Sequence, residues 1–569
     1  MMKPMRWQLT PTDETLARQL EAELGVEPLI GTLLVQRGIC SAEAAQQFFN
    51  PDIRDLHNPF LMKDMDLAVA RLDAALQGNE RILLYGDYDV DGTTSVALMY
   101  AFLSRLTSNL DYYLPDREKE GYGVSLAGVE YARENACSLI IAMDCGIKAN
   151  EAVALAKSYG IDFIVCDHHL PEGELPASVA NLDPKRADCP YPYKELSGCG
   201  IAFKLAQALT LQHNTPSEEL ASLLDLVAVS IACDIVPITG ENRTLAYFGL
   251  RVINRSPRIG LWALIESINR PKPLTIMDLV FGLGPMINAA GRLGDARDAV
   301  RLLLAADKES ALAAARHLVS RNFERRTVDY ATAEQARQRF RDVPGWEQKK
   351  SIVLFDSDWH KGVIGISASR VAEDFHKPTV ILTQSNGRAV GSARSVRGFD
   401  LYAALQQCED LFFSYGGHAF AAGMQMPLEN IDAFTERFES IVSQTIVLES
   451  ESPSLDIAAK IQFSQITTTF WSVLRQFEPF GPQNLSPVFW AENLVDTGHS
   501  RILDNNHVRL SIRHTSGRPV FTGIGFGLGK AFEGVKKGPF DVAFSLREEE
   551  WKGVRKLALF VKDIRPCTG

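Results

Sequence analysis

Between residues 80 and 240, short apolar runs alternate with stretches whose apolar positions recur every three or four residues. Arg81–Tyr85, Leu139–Met143 and Phe163–Cys166 read as strands, each followed by polar or helical sequence. Helices are expected from about Thr94 and from about Asn150, and Leu220–Cys233 reads as a buried helix. Strands that alternate with helices imply a parallel, doubly wound sheet. Ahead of this region, residues 1–60 form a mostly helical lead-in, with amphipathic stretches at Thr15–Leu24 and Ala42–Phe49. Residues 240–345 are expected to be mainly helical, and Lys308–Arg341 has so few breakers that it reads as one long connector. A second α/β unit starts at Ser351, with a strand at Ile352–Phe355, a helix at Ile364–Asp374 and strands at Thr379–Thr383 and Arg388–Ser392. Past Pro453 the pattern becomes short alternating strands (Val508–Ile512, Val520–Phe526, Val542–Leu546, Lys556–Val561) punctuated by Gly and Pro, which suggests a small antiparallel barrel. The expected class is therefore α/β. A parallel-sheet domain (61–320) and a smaller α/β domain (346–450) are joined by a long helix (321–345), and a C-terminal β-barrel (451–569) follows.

Composition narrows this only a little. A chain of 569 residues with 46% hydrophobic and 23% charged residues is ordinary for a globular protein of three to four domains. The best apolar run, around Leu223–Ile235, is broken by Asp225 and Asp234, so no membrane span is expected. Met1–Thr10 lacks the apolar core of a secretory signal. Nine cysteines without a Cys-x-x-Cys pair argue against a zinc module or disulfide framework, and a reducing cytoplasmic setting is expected. The net charge of −11 is uneven: from Glu451 onward the balance is +3, and the rest carries −14. A carboxylate-rich metal site would add to that acidity without repelling an anionic substrate once its cations are bound, so the charge excludes no nucleic-acid partner.

The acidic residues fall in a telling pattern. Asp87, Asp89 and Asp91 follow the strand Arg81–Tyr85 at a spacing of two, which on an extended backbone would point all three the same way. Asp144 closes Leu139–Met143, and Asp167, His168 and His169 close Phe163–Cys166. All three groups sit at carboxyl ends of expected parallel strands, where open α/β sheets place their ligand crevice, and Asp234 can complete the set. Such a gathering of carboxylates and imidazoles would repel and desolvate itself unless cations neutralised it. Mixed carboxylate and imidazole donors suit Mn²⁺ or Mg²⁺, and two such ions can activate a water and stabilise the leaving oxygen of a phosphoryl displacement. Asp-x-Asp-x-Asp-Gly also opens calcium-binding EF-hand loops, but the twelfth position here is Leu98 rather than Glu, and a strand precedes it.

Asp87-Tyr88-Asp89-Val90-Asp91-Gly92, Met143-Asp144-Cys145-Gly146, Asp167-His168-His169 and Asp234 resemble, in order, the motifs of the DHH phosphoesterases. The pyrophosphatase branch of that family has a His where this chain has Tyr85. Gly416-Gly417-His418-Ala419-Phe420-Ala421-Ala422-Gly423 resembles the Gly-Gly-His motif of the associated DHHA1 domain, whose close glycines let backbone N–H groups approach a phosphate. Leu114-Pro115-Asp116-Arg117 with Gly121-Tyr122-Gly123, Gly284–Arg292, Trp359–Gly365 and Gly391–Ser395 are similar to stretches of the bacterial RecJ exonuclease family, from about Asp52 onward. That resemblance implies hydrolysis of single-stranded DNA from the 5′ end with release of mononucleotides, in DNA recombination and repair. It also implies two divalent cations, Mn²⁺ or Mg²⁺, a single-stranded-DNA-binding protein as partner, and a monomer.

Carried over residue by residue, the resemblance assigns Asp87, Asp89 and Asp144 to one ion. It assigns Asp91, Asp144, His168 and Asp234 to the other, with Asp144 as the bridge. His169 would polarise a phosphate oxygen, and Asp167 would orient a ligand imidazole rather than bind metal. Arg117, Arg292, Ser392 and Arg394 would hold the 5′-terminal phosphate, as guanidinium forks and a hydroxyl can, with Asn288, His360, Gly417 and His418 beside the DNA. The barrel resembles an OB-fold, in which Arg509, Arg513 and Arg518 near Phe521 and Phe526 are compatible with a single strand. Three other readings stand beside this one. A phosphodiesterase of short RNA or cyclic dinucleotides would not need residues 453–569. A non-catalytic binding module would have lost carboxylates that are all present here. A DNA-binding scaffold with a structural metal would tolerate loss of Asp91.

Overall fold

In a computed structural model, the protein is described for residues 5–567 apart from 118, 216–217, 271, 447–453 and 552–553. Two compact units result. One comprises residues 57–236 and 248–449, and the other residues 1–56, 237–247 and 450–569. Among the described residues no helix is long and apolar enough to cross a membrane.

The first unit is organised by a five-stranded parallel sheet in the order Leu110–Tyr113, Ile82–Gly86, Leu139–Met143, Asp162–Cys166, Ala180–Leu182. Every residue of Ile82–Gly86 and Leu139–Met143 is buried, as expected when both faces are covered. On one face Leu83, Tyr85, Ile140, Ala142 and Val165 pack with Val129 and Ala132 of Leu126–Glu134 and Val153 and Ala156 of Asn150–Ser158. Tyr85 is turned into this core, where its hydroxyl donates to Gly123 O (3.0 Å) and accepts from Ser125 N (3.0 Å).

The helix expected from about Thr94 begins earlier, at Val90, and runs to Leu103. Asp89 is its N-cap, accepting from the backbone N–H groups of Asp91 (2.9 Å) and Gly92 (3.1 Å). Asp87, Asp89 and Asp91 therefore do not share one extended backbone, contrary to expectation. Asp87 follows directly on the strand, Asp89 caps the helix and Asp91 sits in its first turn. Gly92 permits this tight exit, because a Cβ there would lie 2.3 Å from Asp87 O. The expected helix Leu220–Cys233 is likewise divided, into Glu218–Ala221 and Leu224–Cys233, and Asp234 caps the second.

The long connector is a 35-residue helix, Lys308–Asp342, in the same unit. Beyond it lies a mixed five-stranded sheet in the order Ser414–His418, Ala421–Met426, Arg388–Arg394, Thr379–Ser385, Ile352–Phe355. Only the last pair is parallel.

In the second unit, Phe489–Asp496, Phe540–Trp551, Val554–Pro566, Gly517–Gly525 and His507–His514 form a closed barrel, because the first strand also pairs with the last. One pairing differs from the antiparallel expectation: Gly523–Gly525 run parallel to Leu559–Val561. The lead-in helices Glu14–Leu24, Pro28–Val35 and Ala42–Phe49 share the barrel's core through Leu20, Ile30, Leu33, Leu34 and Ala45, and the strand Arg6–Leu9 pairs with Ser454–Ile457.

Candidate active site

The carboxyl ends of the central strands deliver the acidic groups to one place. Ligand atoms of Asp87, Asp89 and Asp144 lie within 4.8 Å of one another, and so do those of Asp91, His168 and Asp234. His168 Nε2 is 3.1 Å from Asp144 Oδ1, 3.6 Å from Asp234 Oδ2 and 3.7 Å from Asp91 Oδ2, so Asp144 adjoins both groups. Asp144 takes a left-handed backbone (φ 60°), which Asp tolerates better than most residues, and this turns its carboxylate off the strand end.

Electrostatically the cluster is overloaded. Burial first, and repulsion by neighbouring carboxylates second, push Asp87, Asp89, Asp144 and Asp234 above the ordinary carboxylate range. Burial also pushes the His168 imidazole down to about 4, so it is a neutral donor. Asp87 Oδ1 is buried without a hydrogen-bond partner. A set of converging carboxylates, one neutral imidazole and an unsatisfied buried oxygen fits hard or borderline divalent cations.

Asp91 is fixed by groups the sequence reading does not single out. Asp91 Oδ1 accepts from Cys199 N (2.8 Å) and Ser230 Oγ (2.6 Å), and Oδ2 accepts from Gly198 N (2.6 Å). These N–H groups open the helix Gly198–Gln212, so a helix N-terminus holds the carboxylate with its positive end. Gly198 is required by close approach, since a Cβ there would lie 2.7 Å from Asp144 Cβ. Ser197 ahead of Gly-Cys-Gly and an apolar run is an N-cap signal for this helix.

Asp167 spends its oxygens on support. Oδ1 accepts from His168 N (2.7 Å), His169 N (3.1 Å) and His169 Nδ1 (2.7 Å), and Oδ2 from Ile147 N (2.9 Å). Burial opposes its charge, yet these bonds prevail and hold it down at about 2. The imidazole that Asp167 orients is therefore that of His169, whose ring nitrogen also lies within 4.8 Å of ligand atoms of Asp144 and His168. Burial depresses His169 but the bond to Asp167 outweighs it, and its pKa is raised. Tyr122 Oη lies 2.9 Å from His169 Nε2 and 3.2 Å from its Nδ1.

A second cluster, of opposite sign, is built from distant segments. Arg117 lies over the Tyr88 ring at 4.9 Å. Arg292 Nη1 donates to Gly362 O (3.2 Å). Arg394 Nη1 donates to Ser392 Oγ (3.0 Å), and its Nε to Ser369 Oγ (3.1 Å). Burial, followed by the charges of Arg117, Arg325 and Arg394, pushes Arg292 down to about 9. Among the described residues neither Arg292 nor Arg394 has a carboxylate partner. Asn288 and Arg292 line a cavity of about 170 Å³ with Cys233, Arg325 and Ile366. His360 reaches the cluster indirectly, its Nδ1 accepting from Gly362 N (3.0 Å). Gly417 and His418 form an exposed hairpin strand. His418 stands in one row with Ala421 and Arg394, but its Nδ1 accepts from Phe420 N. Arg325 is an addition to the residues expected from sequence.

In the barrel unit, Phe521 is core and packs on Phe463. Phe526 is 52% exposed and lies beside His507 and Phe560.

With this geometry in hand, comparison with known proteins gives concordant matches. The model of the DHH family N-terminal domain matches residues 81–231, that of the DHHA1 domain residues 348–444, and that of the RecJ OB domain residues 457–563. The single-stranded-DNA-specific exonuclease RecJ of Bacillus subtilis (strain 168) is 36% identical over 98% of this chain and 70% of its own length. That of Escherichia coli (strain K12) is 33% identical over 97% of this chain and 98% of its own length. The crystal structure of RecJ in complex with Mn²⁺ from Thermus thermophilus superposes with a TM-score of 0.85 at 27% identity, covering 100% of this chain and 81% of that one.

Proposed function

Because the chain belongs to the RecJ family of DHH phosphoesterases, we propose that it is a metal-dependent single-stranded-DNA exonuclease that starts from the 5′ end and releases mononucleotides. The observation that carries the end preference is the pairing of two overcharged clusters within one compact unit: carboxylates around Asp144 and guanidiniums around Arg292. Asp87, Asp89 and Asp144 hold one Mn²⁺ or Mg²⁺. Asp91, His168 and Asp234 hold a second, with Asp144 bridging. Such ions supply an activated water and charge stabilisation for phosphodiester cleavage.

The protein's own groups do the rest. Asp167 keeps the Nδ1 proton of His169 on its own side, so that Nε2 is aimed outward. In its protonated form His169 donates from Nε2 to a non-bridging phosphate oxygen, where Tyr122 Oη stands without substrate. Arg117, Arg292, Ser392 and Arg394 bind the terminal phosphate, with Asn288, His360, Gly417 and His418 lining the strand's path. These groups contact phosphate and not base edges, so sequence preference is slight. The cyclic-dinucleotide reading is not favoured, since residues 457–563 match an OB domain. Single-stranded-DNA-binding protein as partner, a monomeric state and the cytoplasm complete the proposal.

The test compares one oligonucleotide with a 5′ phosphate, a 5′ hydroxyl or a blocked 5′ end, with Mn²⁺ and with EDTA. The proposal expects fastest decay of the phosphorylated strand and none in EDTA. Equal decay of all three, or activity in EDTA, contradicts it.

A further inference from the structure

One wall of the cavity next to the acidic cluster belongs to a residue with no role so far. Arg325, on Lys308–Asp342, lines it with Asn288 and Arg292 and is only 8% exposed. Its Nη2 donates to Asn322 Oδ1 (2.6 Å), but its Nε has no hydrogen-bond partner. The carboxylate nearest it, Asp329, is 4.0 Å from Nη1. That carboxylate is already engaged: Arg370 Nε and Nη2 each lie 3.0 Å from Oδ2, and Ser367 Oγ donates to Oδ1 (3.2 Å). One carboxylate thus stands between two guanidiniums, and Arg370 has the close contacts. Arg292, which lines the same cavity, has a backbone carbonyl as its hydrogen-bond partner among the described residues. A buried guanidinium with an unmet N–H and a spoken-for counter-ion is stabilised by whatever anion fills the space beside it.

We infer that Arg325 is a further phosphate-binding residue of this pocket, and that it selects a terminal phosphate monoester over an internal diester. The inference rests on the 5′-end reading above. A terminal phosphate carries close to two negative charges and three free oxygens, whereas an internal diester carries one charge and two free oxygens. Arg292 and Arg394 supply the forks that hold the terminal phosphate through two of its oxygens. Arg325 adds a further charge, whose nearby carboxylate is shared with Arg370, and an N–H without a partner, and only the monoester has the extra oxygen and charge to meet them. The helix location is apt: Asn322, Arg325 and Asp329 lie three and four residues apart, on one face, so the guanidinium is held by its own helix before any ligand arrives.

The experiment measures kcat and KM of the full-length protein with Mn²⁺ on one single strand bearing either a 5′ phosphate or a 5′ hydroxyl. Arg325→Met is expected to raise KM for the phosphorylated strand about tenfold, the cost of one charge-assisted bond, and to leave kcat and the hydroxyl strand within about twofold. Arg325→Lys keeps the charge and the helix but loses the planar fork. It is expected to raise the same KM several-fold, and it decides the matter if the Met variant does not fold. Unchanged discrimination in the Lys variant, or equal loss on both strands, overturns the inference. Arg292→Ala separates the two levels. If it erases 5′-phosphate preference while Arg325→Lys does not, only Arg325 loses its role. If the wild type shows no preference at all, the 5′-end reading falls with it.

Discussion

The carboxylates around Asp144 and the guanidiniums around Arg292 are both like charges crowded out of water, yet the chain assembles them differently. The acidic cluster comes from loops at the ends of adjacent parallel strands and from one helix end, and backbone N–H groups of Gly198, Cys199 and Ile147 fix its members. The basic cluster draws Arg117, Arg292 and Arg394 from segments far apart in sequence, held among the described residues by a carbonyl, hydroxyls and an aromatic face, while Arg325 shares the Asp329 carboxylate with Arg370. Buried like charges left without opposite partners cost stability that paired or apolar side chains would not. Keeping the two sets apart leaves each with charge of one sign, as the proposed cations and terminal phosphate require.

Removing charge from each cluster in turn tests that separation, and the largest effect is expected at the acidic one. Asp144→Asn should lower turnover by at least about a thousandfold, since both proposed ion positions share this residue. Without metal the same substitution should raise the melting temperature. In the wild type, Asp87, Asp89, Asp144 and Asp234 have folded pKa values raised above their unfolded ones. The native state then binds more protons than the unfolded chain in the window above the ordinary carboxylate value of 3.8, so stability falls as pH rises through it. Melting curves in EDTA from acid to neutral pH should fall more steeply for the wild type than for Asp144→Asn. Parallel curves would mean that Asp144 carries no such strain.

A smaller effect is expected one layer out. Ser230→Ala removes one of three donors from Asp91 and should weaken Mn²⁺ binding about tenfold by calorimetry, with KM for DNA unchanged. Undiminished affinity would make the Ser230 bond incidental. The smallest is Tyr122→Phe, which frees His169 Nε2 and should alter kcat by less than about threefold, whereas His169→Gln should cost about a hundredfold. If the tyrosine hydroxyl matters as much as the imidazole, it is part of the chemistry and not a placeholder.

The same contrast explains what is visible before folding. Strand-end carboxylates are legible because apolar runs locate the strands and the motif spacing follows directly. Even so, Asp89 and Asp91 depart from the extended register expected of them, because an N-cap is a local hydrogen-bonding choice that spacing alone does not reveal. Arg117, Arg292, Ser392 and Arg394 come only from resemblance, since nothing in periodicity tells a buried arginine from a solvated one. Arg325 is hidden for the same reason: it sits in a long helix rich in arginine, and only burial sets it apart. The lead-in helices cannot be assigned to the barrel's core from sequence, because amphipathic patterns show that a face is buried and not against what.

Product length tests most directly whether the two clusters act on one strand end. Single-stranded DNA carrying a labelled 5′ phosphate is incubated with the protein and Mn²⁺, and the first labelled product is sized. If the guanidiniums hold the terminal phosphate while the acidic cluster cuts beside it, that product is a labelled mononucleotide from the earliest time points. Labelled oligonucleotides that shorten gradually from the other end, or a spread of internal fragments, would contradict the account.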